Sequence, residues 1–328
     1  MKIESFILEG ASALEHLAVE SALIDAWNRD DPLLLLYVNK ACLVIGRNQN
    51  PWKETNPHSR LPIFRRDSGG GTVYHDRGNL NWALLVPRDA HDKEGELAMI
   101  AGALNDIGYP VEPGERGGLY CGSASANPGR KVSGTARRFG KHRVLHHGTL
   151  LVASDLKALG FSLGGIETED DRSLPSVPAK AANITSIGEN IGVEEAAVSL
   201  SLALCGRPPT RFAAEESILD RLGQEEARLR SSEWVYSATP KFSFRLPQKG
   251  GPFLFSVEQG KLLLPEGAFE DCFAQFRGRP FSFSIYFDMK EAVEQVLGSR
   301  QVQDNREDSG KPIEPIEPIE RSQAFKEV

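Results

Sequence analysis

The sequence predicts an α+β protein, in which short paired strands alternate along the chain with amphipathic helices. Two observations predict this class. Apolar runs of strand length occur in pairs, with turn residues between the two members of each pair. Apolar residues at helical spacing recur before, between and after these pairs.

The helices are marked by their caps as well as by their apolar stripes. Ser12 and Glu15 form a capping box before the first stripe, which ends near Arg29. The second stripe ends at the sequence Gly108-Tyr109-Pro110, which stops a helix. The predicted helical stretches are residues 12–29, 97–107, 194–204 and 215–229.

Strand patterning predicts four hairpins. They are 33–46 with a turn at Asn39, 72–86 with a turn at 75–79, 130–152 with a turn at 139–141, and 251–264 with a turn at Gln259-Gly260. A further strand is predicted at 281–287. Strand alternation places Lys131 and Ser133 on one face of the third hairpin. It places His146 and His147 on opposite faces, so that only one of the two histidines can face a common site.

A glycine loop, Gly69–Gly71, precedes the second hairpin. Glycine lets a backbone approach a ligand closely, and its free N–H groups can form an anion-binding concavity. Arg65 and Arg66 come just before this loop, and arginine suits phosphate and carboxylate because its planar fork donates two hydrogen bonds. An ordinary glycine-rich turn with solvated charges is the alternative. The neighbouring arginines and serine favour an anionic ligand.

Composition restricts the function classes. The chain has 328 residues and a formal net charge of −7, which argues against a general nucleic-acid binder. The four cysteines are far apart, with no C-x-x-C spacing, so a zinc site is not expected. There is no signal-peptide pattern and no apolar run long enough for a membrane span. A reducing, cytoplasmic location without membrane association is therefore predicted.

The chain is predicted to divide near residue 230. Residues 1–230 form the larger domain, and 231–300 form a smaller C-terminal domain of different character. The tail, 301–328, contains Pro-Ile-Glu three times and is predicted to be extended and disordered. Within the first domain, 112–130 is predicted to be an irregular ligand-covering loop and 161–178 a surface loop.

No common nucleotide-binding or zinc-protease motif is found. The chain lacks G-x-x-x-x-G-K-[ST], G-x-G-x-x-G and H-E-x-x-H. What remains is a set of polar residues on two hairpins that are predicted to be neighbours in one sheet. Cationic side chains and a glycine loop that face one cleft suit a small phosphorylated or carboxylated molecule.

Three motifs resemble the lipoate–protein ligase A family. They are Arg-Arg-x-Ser-Gly-Gly-Gly-x-Val-x-His-Asp-x-Gly-Asn from Arg65, Lys-Val-Ser-Gly-x-Ala from Lys131, and His-His-Gly-Thr-Leu-Leu from His146. Segments 46–52 and 182–186 are also similar to the family pattern. Residues 234–242 and the hairpin after them resemble the family's small α/β accessory domain.

The resemblance implies a biotin/lipoyl ligase-type catalytic domain, with a mixed, largely antiparallel sheet flanked by helices. It also implies a two-step reaction. Lipoate and ATP, with Mg²⁺, give lipoyl-adenylate, and the lipoyl group then moves to a lysine of a lipoyl-domain protein. The implied acceptors are 2-oxoacid dehydrogenase E2 subunits and the glycine cleavage H protein.

Site residues are carried over motif by motif. Lys131 is implied to be catalytic and to contact both ATP and lipoate. The other implied ATP or adenylate contacts are Arg66, Gly71, Thr72, Val73 and Tyr74. The further lipoate-site candidates are Ser68, Gly70, His75, Asn81 and His147. No metal ligand is assigned.

One segment departs from the family. Where the family usually has Arg-Asn-Asp-Leu, this chain has Arg116-Gly117-Gly118-Leu119, which removes two polar side chains expected near Mg²⁺ or the adenylate. Two alternatives therefore stay open. One is an octanoyl or lipoyl transferase that uses a preformed acyl donor, with Cys121 as the nearest nucleophile. The other is a non-catalytic relative that only binds the adenylate.

Overall fold

The computed structural model describes residues 3–27, 29–114, 117–122, 129–246, 253–264 and 273–307. Its strands are β1 Glu4–Ile7, β2 Leu33–Val38, β3 Cys42–Ile45, β4 Ile63–Arg65, β5 Val73–His75, β6 Asn79–Pro87, β7 Glu112–Pro113, β8 Gly118–Cys121, β9 Arg130–Phe139, β10 Arg143–Leu151, β11 Thr210–Arg211, β12 Phe242–Leu246, β13 Phe253–Glu258 and β14 Lys261–Leu263. Its α-helices are α1 Ala13–Ala26, α2 Pro51–Glu54, α3 Lys93–Asp106, α4 Leu156–Ser162, α5 Val193–Cys205, α6 Glu216–Arg230 and α7 Phe283–Glu307.

The largest sheet has eight strands in the order β11-β1-β2-β6-β10-β9-β8-β7. Strand β1 pairs in parallel with β2 and β11, and the other neighbours pair antiparallel. The predicted mixed, largely antiparallel sheet is thus confirmed. The predicted third hairpin is also confirmed, since β9 and β10 pair antiparallel, and β10 lies directly beside β6.

Helices cover both faces of this sheet. Leu34 and Leu36 of β2 belong to the core with α3 and α5, whereas Leu33 and Leu35 belong to the core with α1. Successive side chains of a strand point to opposite faces. A strand with a core on each side must therefore be apolar throughout, which explains the uninterrupted apolar run of β2.

A second, three-stranded sheet has the order β4-β3-β5. Strand β3 belongs to this sheet and β2 to the large one, so the predicted hairpin 33–46 is wrong. The predicted hairpin 72–86 is wrong for the same reason, because β5 pairs with β3 while β6 pairs with β2 and β10. Turn residues do occur at both places, but there the chain crosses from one sheet to the other.

The C-terminal region contains a third, antiparallel sheet, β12-β13-β14, and helix α7. The predicted turn at Gln259-Gly260 is confirmed, and both residues have positive φ. The predicted strand 281–287 is wrong, because α7 begins at Phe283. The same helix continues to Glu307, so residues 301–307 are helical instead of extended, and 308–328 lie outside the described residues.

This region has its own aromatic core. Its fully buried members include Phe242, Phe244, Phe255 and Phe273. The separate core supports the proposed boundary near residue 230, although Trp52 and Ile166 also belong to it. Within the described ranges, no helix is long and apolar enough to cross a membrane.

Candidate active site

A cavity of about 560 Å³ is lined by residues of both the large sheet and the small β4-β3-β5 sheet. Its volume is in the range that small-molecule sites occupy. The predicted site residues that line it are Arg66, Gly70, Gly71, Thr72, Val73, His75, Asn81, Lys131 and His147. Residues more than 70 positions apart in sequence are thus brought to one place.

Ser68 and Tyr74 are the predicted site residues that do not line this cavity. Tyr74 lies between Val73 and His75 on β5, so alternation turns its side chain away from the cavity that its neighbours line. The hydroxyl of Ser68 lies behind the wall, within hydrogen-bond distance of Arg66 Nε at 3.0 Å and His147 Nε2 at 2.7 Å. A direct ligand contact by either residue stays a prediction.

Arg66 holds the glycine loop in shape. Its guanidinium donates to the carbonyls of Gly69 at 2.6 Å, Gly71 at 2.7 Å and Val44 at 3.0 Å. The loop passes through Gly70, which has φ of +83°. Burial lowers the pKa of Arg66 to about 10, so the side chain is cationic at neutral pH. The loop therefore presents a fixed positive charge at the cavity wall.

Arg65 does not stand at the cavity mouth, contrary to the prediction for the arginine pair. Its side chain is fully buried and donates to the carbonyls of Arg47, Gln49 and Val235, at 2.8, 2.7 and 2.7 Å. Strand alternation on β4 turns the two neighbouring arginines to different sides. Arg65 therefore acts within the protein interior, and only Arg66 faces the ligand cavity.

A buried carboxylate orients His147. Glu20 of α1 accepts hydrogen bonds from Tyr37 Oη at 2.8 Å and from His147 Nδ1 at 2.8 Å. With Nδ1 donating to Glu20, Nε2 accepts from the Ser68 hydroxyl. His146 points to the other face of β10, where Glu96 is 2.8 Å from its Nδ1. The prediction that only one of these two histidines faces the site is confirmed, since His147 lines the cavity and His146 does not.

His75 is a neutral imidazole in the cavity wall. Burial, and after it the positive charge of nearby Arg66, lowers its pKa to about 3. Its Nδ1 is 2.8 Å from the Asn39 amide nitrogen, and the Asn39 amide oxygen is 2.7 Å from His16 Nδ1. Sequence patterns do not reveal this buried hydrogen-bonded chain, because His16 and Asn39 are far from the glycine loop in sequence.

Lys131 faces the cavity beside a β-bulge. Leu119 pairs with Ser133 but Tyr120 pairs with Lys131, so Val132 is the extra residue on β9. A bulge interrupts strict alternation. As a result Lys131 and Gly134 line the cavity, whereas Ser133 does not. The predicted shared face of Lys131 and Ser133 is therefore wrong.

Two glycines lie beside the Lys131 side chain. A Cβ atom on Gly118 would lie 2.9 Å from Lys131 Cε, whereas one on Gly134 would lie at an ordinary contact distance of 3.6 Å. Nζ also lies over the Tyr120 ring, 5.9 Å from its centroid. The departure from the family pattern thus has a structural consequence, since Gly118 provides room beside Lys131. Arg116 lies outside the described residues.

A covering segment, residues 171–182, contributes a wall that the sequence analysis missed. Leu174 to Ala179 line the cavity, although 161–178 was predicted to be an ordinary surface loop. Leu174 N donates to Asn48 O at 2.9 Å, and Lys131 N donates to Lys180 O at 2.7 Å. The segment is thus attached at both ends to elements of the site.

Ser176 connects the middle of the covering segment to the end of the glycine loop by hydrogen bonds. Its hydroxyl makes a short hydrogen bond to Glu54 and accepts from Thr72 N at 2.9 Å and Gln49 Nε2 at 3.0 Å. Gln49 also accepts from Thr72 Oγ1 at 3.0 Å. The polar segment 46–52 therefore acts as a bridge between the covering segment and the site.

Other candidate groups lie elsewhere. Cys121 is buried, donates toward Arg130 O and is not a lining residue. Cys272 lies outside the described residues. In the described part of the chain, no group of three or more His, Cys, Asp or Glu side chains is placed to hold a metal ion. The described cavity lining also contains no carboxylate side chain.

The geometry defines a class of site: a partly enclosed cavity with fixed cations, a glycine loop and an apolar inner wall, suited to a small acid joined to a phosphate. The family model of the lipoyl protein ligase A/B catalytic domain matches residues 12–204, and the chain belongs to this family.

Two further comparisons extend beyond that domain. Lipoate-protein ligase A of Bdellovibrio bacteriovorus is 29% identical over 325 residues, which cover 90% of this chain and 93% of that protein. The structure of P. falciparum LipL1 in complex with lipoate has a TM-score of 0.61 at 20% identity, with coverage of 90% of this chain and 98% of LipL1.

Two further structural neighbours each cover about 70% of this chain. A bi-partite lipoate protein ligase from Thermoplasma acidophilum, described with its E2 lipoyl domain, has a TM-score of 0.57 at 20% identity and covers 71% of this chain and 96% of its own. A lipoate-protein ligase A bound with ATP has a TM-score of 0.55 at 21% identity, with coverage of 70% and 98%. These neighbours confirm the predicted fold.

Proposed function

We propose that this chain is an ATP-dependent lipoate–protein ligase, which converts lipoate to lipoyl-adenylate and then transfers the lipoyl group to a lysine of a lipoyl-domain protein. Family membership supports the reaction class. One observation carries the assignment to this cavity: Lys131 and the loop held by Arg66 line the same cavity, with apolar Leu17 and Val44 in its wall.

In the first step, a carboxylate oxygen of lipoate attacks the α-phosphorus of ATP. The bond from that phosphorus to the bridging oxygen breaks, and pyrophosphate leaves with the electron pair. Negative charges on both reactants oppose their approach. The ammonium of Lys131 offsets this repulsion and stabilises charge that develops at phosphorus, while Arg66 and the glycine loop hold the phosphate chain.

In the second step, the neutral amine of the acceptor lysine attacks the acyl carbon of lipoyl-adenylate. The new amide bond forms, AMP leaves with the electron pair of the acyl–oxygen bond, and the amine proton passes to solvent or to the departing phosphate. Lys131 polarises the acyl carbonyl and stabilises the oxyanion. The covering segment shields the adenylate from water between the steps.

Mg²⁺ is part of this proposal as a companion of ATP. Because the described lining offers no carboxylate, we propose that the ion is carried into the cavity on the phosphates, its usual ligands in such sites. The proposed acceptors are 2-oxoacid dehydrogenase E2 subunits and the glycine cleavage H protein, with the cytoplasm as the place of reaction. The E2 lipoyl domain named with the Thermoplasma ligase supports this choice of partner.

A two-part assay tests the function. Purified chain is mixed with ATP, Mg²⁺ and lipoate, and pyrophosphate is measured; an apo lipoyl domain is then added, and its mass is followed. The proposal expects lipoate-dependent pyrophosphate release and a lipoylated acceptor. Acceptor modification from a preformed acyl donor without ATP would instead favour a transferase. Adenylate binding without either product would favour a non-catalytic relative.

The transferase alternative has its own test at Cys121. Burial of this thiol outside the cavity lining argues against a role as nucleophile. Cys121→Ser is therefore expected to keep ATP-dependent lipoyl transfer within about twofold of the wild-type rate, since one atom changes at a position outside the cavity. Loss of transfer while adenylate still forms would show that an acyl-thioester route operates.

A further inference from the structure

The Arg65 side chain is hydrogen-bonded to the start of the C-terminal region. Its Nη2 donates to Val235 O at 2.7 Å and to Thr239 Oγ1 at 2.8 Å, and its Nε donates to Val235 O at 3.1 Å. Val235 lies in a π-helical turn, Glu233–Ser237. We call residues 233–239 the linking turn, because they connect α6 to β12.

The linking turn also holds the backbone of the same residue. Trp234 Nε1 donates to the carbonyl of Arg65 at 2.7 Å. Arg65 is therefore fixed at its guanidinium and at its carbonyl by one short turn. The residue is buried completely, and each of these hydrogen bonds goes to or comes from a group more than 160 positions away.

The next residue along the chain is Arg66, which shapes the glycine loop at the cavity. The carbonyl that Trp234 binds belongs to the peptide unit that joins Arg65 to Arg66. Because that peptide is planar, fixing its oxygen also fixes the direction in which the chain leaves toward Arg66. The linking turn is thus one peptide away from a cation at the phosphate-binding wall.

A second set of contacts joins the linking turn to the other side of Arg66. Asp67 accepts from Arg138 Nη1 at 2.7 Å and from Arg228 Nη2 at 2.8 Å. The Arg228 guanidinium lies over the Trp234 ring, 4.4 Å from its centroid. Trp234 therefore contacts the residue before Arg66 directly and the residue after it through Arg228.

We propose that the linking turn positions Arg66 and the glycine loop for ATP, with Trp234 and Thr239 as positioning residues for the first step of the reaction. This inference rests on the proposed function. The first step needs Arg66 opposite a full triphosphate, whereas the second step begins with AMP already joined to the acyl group. Loss of these contacts thus weakens the first step more than the second.

The test uses the full chain with three variants: Trp234→Phe, Thr239→Val and the double change. Phenylalanine keeps a ring beside Arg228 but lacks the N–H donor, and valine keeps the shape of threonine without the hydroxyl. Matched controls are Trp27→Phe and Thr210→Val, which make longer hydrogen bonds of 3.5 Å and do not line the cavity. Thr239→Ser restores the hydroxyl and should restore the wild-type value.

Three quantities are measured for each protein: KM for ATP in lipoate-dependent pyrophosphate release, the rate of transfer from added lipoyl-adenylate, and calorimetric affinity for a non-hydrolysable ATP analogue. The double variant is expected to raise KM and the analogue Kd by about tenfold, as the loss of roughly 1.4 kcal/mol would do. Transfer from lipoyl-adenylate should stay within about twofold.

Equal losses in both steps, or no loss in a folded double variant, would overturn the inference, since a purely structural role predicts one of those results. The analogue affinity separates this inference from the proposed function. A wild-type chain that binds the analogue but releases no pyrophosphate would overturn the function alone, and weaker binding by the double variant would still support the inference. A wild-type chain that binds no nucleotide would overturn both.

Discussion

Lys131 lies next to the β-bulge at Val132, and it lines the cavity whereas Ser133 does not. Its side chain is only partly buried, so it contributes little to the core. Lys131→Ala is expected to leave the unfolding temperature nearly unchanged and to lower adenylate formation about a hundredfold or more, the scale of a lost charge-stabilising group. Pyrophosphate release is the measurement, with exposed Lys141→Ala as the control. A folded variant with near-normal release would remove Lys131 from the mechanism.

His75 gives the protein a predictable loss of stability in acid. Burial lowers its pKa from 6.5 to about 3, so below pH 6.5 the unfolded chain binds a proton that the folded chain does not. The free energy of unfolding therefore falls as pH drops from 6.5 toward 3. Each pH unit costs about 1.4 kcal/mol in the limiting case, or roughly 2–3 kcal/mol between pH 6.5 and 4.5.

Urea unfolding at pH 7 and 4.5 measures this effect. His75→Gln cannot titrate, so it should lose about 2 kcal/mol less than the wild type between the two pH values. His58→Gln, at an exposed position, is the matched control and should keep the wild-type dependence. Equal pH dependence in wild type and His75→Gln would show that His75 does not cause this loss in the free energy of unfolding.

The site residues that the sequence could identify are those that belong to a short local motif. Lys131, Arg66 and His147 carry charge or hydrogen-bonding groups beside glycines, and all three line the cavity. Ser176 could not be identified in this way. It lies in a segment of ordinary loop composition, and its role depends on Glu54, which is 122 positions away and meets it only in the folded chain.

At the scale of elements, Gly117 and Gly118 stand where the family usually has an Asn-Asp pair. The two positions differ in how well they can accommodate a side chain. Gly118 has φ of +129°, and a Cβ there would lie 2.5 Å from the Ser133 carbonyl oxygen. Gly117 has φ of +67°, with its nearest contact at 3.4 Å from Thr135 Oγ1. Asparagine adopts such left-handed values more readily than most residues.

Gly118→Asp is therefore expected to lower stability by about 1–3 kcal/mol and to reduce adenylate formation, because backbone strain and displacement of Lys131 act together. Gly117→Asn should be nearly neutral for both. Urea unfolding and pyrophosphate release compare the two single variants. An active, stable Gly118→Asp protein would mean that β8 shifts easily and that the glycine is not required beside Lys131.

Helices and β-pairings differ in how far the sequence predicts them. The capping box at Ser12 is local, and α1 begins at the next residue, with Ser12 accepting from Glu15 N. Hairpins 33–46 and 72–86 failed because alternation and turn residues do not say which strand is the partner. Strands β3 and β5 pair with each other across more than 25 intervening residues, and that choice is made by packing.

For the molecule as a whole, Trp52 connects the N-terminal part of the chain to the aromatic core of the C-terminal region. This residue belongs to α2, whose N-terminus is capped by Asn50, yet its ring packs among Tyr236, Phe242 and Phe281 at centroid distances of 5.6, 5.4 and 5.2 Å. Arg65 makes polar contacts between the same two parts, through its hydrogen bonds to Val235 and Thr239. The proposed boundary near residue 230 therefore separates two parts that complete each other's interior.

A split chain tests this dependence. Residues 1–230 alone would expose Trp52 and leave the buried guanidinium of Arg65 without Val235 and Thr239. The loss of packing around a buried tryptophan costs about 3–5 kcal/mol, or about 10 °C in unfolding temperature for a part of this size. Residues 231–328, supplied as a separate chain, should restore both the unfolding temperature and pyrophosphate release, because the joining contacts are non-covalent. If residues 1–230 alone unfold at the full-length temperature and form adenylate at the full-length rate, the C-terminal region takes no part in holding the site.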